Sequence, residues 1–427
     1  MRRECRFSMV RMYRFTAVRP VPGHEQAVAA VPYDVVSAEE ARERIRVNPE
    51  SFLRVSRSDA LLPDIPPHDE RVYQKANEVF RQMIGNGQLK RDCVPSLYLY
   101  RVTQGETRYL GLCCCLDVAD YRENHIKRHE ATRYDKEEDR TRHIDAVNAH
   151  TGPVVLLYRD PGSIHQYLES LSGPGTIPAE RVFTDHGALH EIFTITDLPV
   201  YTKLADMFLG LDLYIADGHH RAKSAVNVAE KRGVLDDPEN EAARFMGVLF
   251  SHHHVTVHGY SRLVLKSKKM TVEQLFAGLN KKFSVTAISG IDPCAYQVII
   301  RDLYLTPHHV FHMYVGGIWY ECSTPVDEDA DPIEALDVSV LQKDVLEKIF
   351  AITDPRGDAR LQYLGGARPL SDLEEMVDSG DYLVAFSMQP VAVDSVLEIA
   401  DKGRIMPPKS TWFEPKLLSG LVIHMLD

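Results

Sequence analysis

The sequence predicts an α/β (α+β) protein in three parts: a central domain with a flank of mixed helix and strand on either side. Three observations lead there. Short apolar runs precede capped amphipathic helices over residues 1–94, the hydrophobic pattern switches to period two from residue 95, and a strand–turn–helix unit occupies 211–233. The expected divisions are 1–94, 95–267 and 268–427. A chain of 427 residues is too long for a single small module, and apolar and aromatic residues spread throughout exclude a disordered one.

In the first part, VPYDVVS (31–37) is an apolar run broken by Pro32. Ser37 is placed to cap the next helix, with Glu40 completing a capping box, and that helix ends before Pro49. A second helix is expected over 69–86, with Val72, Ala76, Val79, Phe80 and Met83 at helical spacing and a stop at Gly85. In the central part, PSLYLYRV and TRYLGLCCCLDVADY flank a turn at Gln104-Gly105 and read as a hairpin. Asp135 with Glu138 gives a start signal for a helix over 136–149. Strands are expected at 153–158 and 211–216, with more strand around 243–265. In the last part, Thr271 and Gln274 open a helix over 271–283. Gly316-Gly317 joins a hairpin through a two-residue primed turn, and an amphipathic helix covers 338–352.

Composition narrows the function. The balance of 61 Asp+Glu against 49 Lys+Arg gives a net charge of −12, which argues against a nucleic-acid partner. Seven cysteines, three of them adjacent (Cys113, Cys114, Cys115), are too few for a disulfide framework, and no zinc-finger spacing occurs. The N-terminus MRRECRFSMVRMYRF lacks a signal-peptide apolar run, and no stretch approaches the ~20 apolar residues that span a bilayer. The expectation is a soluble cytoplasmic protein without membrane contact.

The sharpest chemical signal is LDLYIADGHHRAKSAVNVAEKRG (211–233). An apolar strand runs into Asp217-Gly218 and a helix starts at once, with Ala222, Ala225, Val226 and Ala229 on its inward face and Gly233 at its end. The helix N-terminus presents unpaired N–H groups beside glycine, with His219, His220 and Arg221 in its first turn. Cations at the positive end of a helix dipole are costly unless an anion is present, so this pattern suits an anion site. The structural alternative has Asp217 capping the helix and the histidines on the surface. Adjacent histidines do not share a helix face, so joint metal ligation by them is the weakest reading.

A second constellation is IKRHEATRYDKEEDRTRH (126–143), where Glu130 sits among Lys127, Arg128, His129 and Arg133. A carboxylate so placed stays ionised and would serve as a general base on a hydroxyl; a solvated, salt-bridged surface is the alternative. In Ser251-His252-His253-His254, His252 and His254 would share a strand face and chelate a metal, or form a polar strand end. MPPKSTWFEPKLLSG (406–420) reads as a packed strap, or as a segment that sets Lys409 or Lys416 on a phosphate. Walker, Rossmann and nucleophile-elbow motifs do not occur.

VPYDVVS, IKRHEATRYDKEEDR, LYIADGHHRAKSA and MPPKSTWFEPKLLSG together resemble a bacterial family of unknown function with an ADGHHR signature. The central part resembles the ParB/sulfiredoxin superfamily, and within it the SerK-type free serine kinases. The resemblance implies a central mixed-sheet nucleotide-binding catalytic domain that phosphorylates free L-serine to O-phospho-L-serine from ATP or ADP with Mg²⁺. It implies Glu130 as catalytic base and Asp217 as a residue orienting a metal ion or a histidine. Gly218, His219, His220 and Arg221 would cradle phosphate, with His129 and Arg133 as further substrate or phosphate contacts; it assigns no metal ligands. The alternative it leaves open is a ParB-like nucleotide-binding regulator without turnover. Sulfiredoxin-like redox chemistry is set aside, since no cysteine lies between 116 and 293.

Overall fold

A computed structural model describes residues 10–268, 270–298, 306–327 and 329–427. Residues 1–9, where a targeting signal was sought, lie outside that set. The chain packs as two units. The first comprises 10–128, 132–255 and 415–427; the second comprises 129–131 and 256–414. The first unit's middle segment ends at Val255, and residues 10–94 pack within that unit.

The first unit is built on a nine-stranded mixed sheet. Eight strands run in the order Ile126–Lys127, Leu213–Asp217, Val154–Tyr158, Arg244–Ser251, Thr107–Asp117, Leu97–Gln104, Leu189–Ile195 and Glu180–Phe183; Met12–Tyr13 pairs with the far end of Thr107–Asp117. Parallel pairing joins Leu213–Asp217 to Ile126–Lys127 and Arg244–Ser251 to Val154–Tyr158, and the rest is antiparallel. The three cysteines lie in a central strand, where side chains on both faces are covered. Cys113, Cys114 and Cys115 are therefore all buried, although neighbours point to opposite faces.

Helix His219–Lys231 follows its strand as expected, and Ala222, Ala225, Val226 and Ala229 all enter the core beside Leu156, Leu204 and Phe208. Gly233, at φ +70°, ends it. The Ser37/Glu40 capping box forms on helix Ala38–Val47, and Asp69 caps Glu70–Gly85. Phe52, Val79, Phe80 and Met83 build a second core that includes Ile423, near the C-terminus, which pairs with Val18.

Two local expectations need correction. The helix expected over 136–149 runs Tyr134–Val147, and no side chain caps it. Arg133 is its N-cap and ties the Asp135 carboxylate at 2.9 Å, so Asp135 lies within the first turn. His252 and His254 do not share a strand face, because the strand ends at Ser251 and a turn begins. The His252 Nδ1 accepts the Asp160 N–H at 3.2 Å, while the His254 ring stacks on His165 at 3.6 Å.

The second unit holds an antiparallel six-stranded sheet, ordered Ser284–Ile288, Ile318–Pro325, His308–Val315, Tyr382–Met388, Tyr260–Leu265 and Leu361–Gly365. Gly316 and Gly317 adopt φ +59° and +80°, the primed hairpin turn their sequence predicts. The Thr271/Gln274 capping box forms, but its helix is the shorter Val272–Leu279. The helix expected over 338–352 starts at Asp337 and widens to π geometry over Leu341–Glu347. Leu263, Trp319, Leu370, Leu373 and Ala385 form this unit's core. Among the described residues no helix is long and apolar enough to cross a membrane.

Candidate functional site

The strand Leu213–Asp217 shifts register between Ile215 and Asp217 against Val154–Tyr158. Such a bulge re-aims the residue beyond it. Asp217 does not cap the helix; Gly218 is the N-cap, at φ +94°. Glycine is needed there twice over. The backbone is left-handed, and an added Cβ would meet the Arg221 guanidinium at 3.0–3.1 Å. The bare Gly218 lets Arg221 fold back along the first turn. Its Nη2 donates to Asp217 Oδ2 at 2.6 Å and its Nη1 to the Pro153 carbonyl. Lys416, from the C-terminal strap, donates to Asp217 Oδ1 at 2.9 Å.

Asp217 is thus a carboxylate held between two cations at the positive end of a helix. Burial alone would raise its pKa, but Lys416 and Arg221 outweigh burial and hold it well below the usual range. Burial would likewise lower Arg221, and Asp217, Asp34 and Tyr33 outweigh it. His219 is buried. His220 accepts the Arg133 N–H on Nε2 at 3.0 Å, and burial lowers its pKa, so it stays a neutral acceptor.

Of the residues expected at the site, Asp217, Gly218, His219, His220, Arg221 and Arg133 come together in the first unit. His129 and Glu130 belong to the second. There the His129 carbonyl accepts the Met406 N–H at 2.8 Å, and Thr411 Oγ1 lies 3.4 Å from His129 Nε2. His129 is buried and Glu130 half-buried.

Sequence reasoning missed the recess beside Arg221, lined in part by Tyr33, Ser56, Arg140, His143 and His150. The Arg140 guanidinium lies 4.2 Å from the Tyr33 ring centroid and pairs with Asp139 at 2.6 Å. The signal was present in VPYDVVS, where Tyr33 was given no role of its own. Among the described residues no three His, Cys, Asp or Glu side chains gather as a metal site. Both Asp217 oxygens already meet cations, so this carboxylate does not fit the part of a metal ligand.

The fold and this turn define a mixed-sheet α+β protein with a cationic cradle at a helix N-terminus. The chain belongs to the family described as a protein of unknown function (DUF1015), which matches residues 12–339. No curated protein matches the chain. Among solved structures it is similar to a free serine kinase in complex with AMP, at 15% identity over 74% of this chain and 91% of that one, TM-score 0.35. It is also similar to a conserved hypothetical protein from Pyrococcus furiosus, at 14% identity over 71% and 90%, TM-score 0.31. A third is SbnI with C-terminal truncation from Staphylococcus aureus, at 12% identity over 73% and 86%, TM-score 0.34. Likenesses this distant carry no argument about the present site.

Proposed function

We propose that the protein is a small-molecule phosphotransferase of ParB/sulfiredoxin-like type, moving a phosphoryl group from ATP or ADP to a hydroxyl, with free L-serine as acceptor. One observation carries the reading: the Gly218–Arg221 turn already holds an anion, the Asp217 carboxylate, between Arg221 and Lys416 at a helix N-terminus. An arrangement that stabilises a carboxylate there suits phosphate oxygens by the same physics.

Phosphoryl transfer asks a protein mainly for positioning and charge stabilisation. Gly218, His219 and His220 supply the helix-opening backbone, and Arg221 and Lys416 the positive field. Glu130, beside the anchored His129, takes the hydroxyl proton as the acceptor oxygen bonds to phosphorus. The leaving nucleotide departs with the electron pair of the broken P–O bond. Mg²⁺ enters this reading only as the counter-ion that a nucleotide brings with its own phosphates.

The test is incubation of the full chain with Mg²⁺, ATP or ADP, and L-serine, followed by mass spectrometry. O-phosphoserine is expected, and Glu130→Gln should lower its formation at least 100-fold while nucleotide affinity stays within twofold. Nucleotide binding without any product would replace this reading with a regulator lacking turnover. Failure of nucleotide to bind the wild-type chain would remove both.

A further inference from the structure

The second unit contains a buried cation whose hydrogen bonds, among the described residues, go to backbone carbonyls. Arg262 lies in the interior strand Tyr260–Leu265 and is 3% exposed. Its guanidinium donates to the carbonyls of Tyr260 and, at 3.0 Å, Lys409, and sits 5.5 Å from the Tyr363 ring centroid. Among the described residues no Asp or Glu pairs with it. Burial lowers its pKa to about 10, with Tyr363 and Tyr260 opposing. Neutral carbonyls offset only part of what a guanidinium loses on leaving water, so an anion would be welcome here.

The carbonyl that Arg262 grips belongs to a strained residue. Lys409 has φ +58°, a left-handed backbone that a residue with a Cβ adopts at a cost. Its side chain is exposed, and its ammonium rests 5.1 Å from the Tyr260 ring centroid. That ring belongs to an aromatic platform, with Trp412 at 5.5 Å and Tyr363 at 6.4 Å. The platform is fixed from behind: Trp412 lies against Gly365 and Gly366, where an added Cβ would come within 2.4 and 2.9 Å of its ring. Lys409 also sits in sequence between Met406 and Thr411, which both touch His129, the neighbour of Glu130. Glycine would sit at this left-handed position without strain, yet the chain carries a lysine there.

We infer that Lys409 and Arg262 form an anion subsite in the second unit, which takes a carboxylate or phosphate group of the small molecule on which Glu130 acts. Lys409 is the binding group. Arg262 is a positioning residue that holds the Lys409 turn and adds to the positive field. Naming Glu130 rests on the proposed phosphotransferase; the anion subsite itself does not.

The experiment is calorimetric titration of the full chain and of Lys409→Gly and Lys409→Met, using inorganic phosphate, ADP, O-phospho-L-serine and L-serine as probes. Lys409→Gly should raise Tm, because the left-handed strain is relieved, and weaken at least one probe tenfold or more. A merely structural lysine would not separate the two readouts in that way. Lys409→Met should show the same loss of binding without the gain in Tm. Loss confined to phosphate-bearing probes assigns a phosphate, and loss of L-serine assigns a carboxylate. Unchanged affinity for every probe in both variants, or no binding of any probe by the wild-type chain, overturns the subsite. Binding that depends on Lys409 in a chain without phosphoryl transfer would sink the phosphotransferase and leave the subsite standing.

Discussion

Arg221 and Arg262 are guanidinium groups drawn out of water, one in each unit, and they are compensated in opposite ways. Arg221 folds back onto a carboxylate that a lysine shares, and its charge is reinforced. Arg262 is held by carbonyls and an aromatic ring, and its pKa falls. A paired cation fixes the shape of a turn. A cation held only by neutral dipoles keeps part of its field for whatever comes next. The same residue type rests on a carboxylate of its own turn in the first unit and on neutral groups in the second.

The largest effect that would break this comparison concerns the two compensations themselves. Asp217→Ala leaves Arg221 and Lys416 without their shared carboxylate and should cost about 3–5 kcal/mol in urea unfolding. Arg262→Met removes a desolvated charge together with its carbonyl contacts and should cost no more than about 1 kcal/mol. Equal losses would show that the two arginines are compensated alike.

Acid comes next. Burial lowers His143 in the first unit and His312 in the second, each to about 4. The unfolded chain binds protons on these rings below its ordinary pKa of about 6.5, so their contribution is complete above that pH and lost as pH falls toward 4. Each should remove on the order of 2–3 kcal/mol over that window. In the first unit Glu180 works the other way. Burial raises it to about 7, so its effect disfavours folding increasingly as pH climbs from about 4.5 to 7. The urea midpoint, followed from pH 7 to 4, should therefore fall less steeply in a His143→Gln variant. An unchanged slope would remove His143 from the account.

A smaller loss, about 2 kcal/mol, is expected for Gly218→Ala, from the left-handed φ and the approach of Arg221. Calorimetry would register it, and a neutral result would mean that the turn can relax. Smallest of all, and opposite in sign, Lys409→Gly should gain about 0.5–1 kcal/mol in the same measurement.

Much of the first unit was legible because its signals are local. The Ser37/Glu40 box and the alanine face of helix His219–Lys231 each depend on residues a few positions apart, as does the Gly316-Gly317 turn of the second unit. The Gly218–Arg221 turn was legible for the same reason. What escaped depends on long separations or on competition. Asp135 reads as a cap until Arg133 claims its carboxylate, and of the two readings of His252 and His254 the polar strand end holds, because the strand stops at Ser251. Lys416 reaching back to Asp217, and Arg140 lying over Tyr33, join residues that no periodic pattern connects.

The burial of Cys113, Cys114 and Cys115 has a practical consequence. Burial pushes all three thiols upward in pKa and away from solvent, and Cys322 likewise to about 12, so at neutral pH they should resist alkylation while the fold is intact. Cys93 in the first unit and Cys294 in the second are exposed. With Cys5 replaced by serine, a maleimide dye should therefore mark one position in each unit. The native sequence then carries the attachment points for a fluorescence ruler that follows the two units as ligand is added.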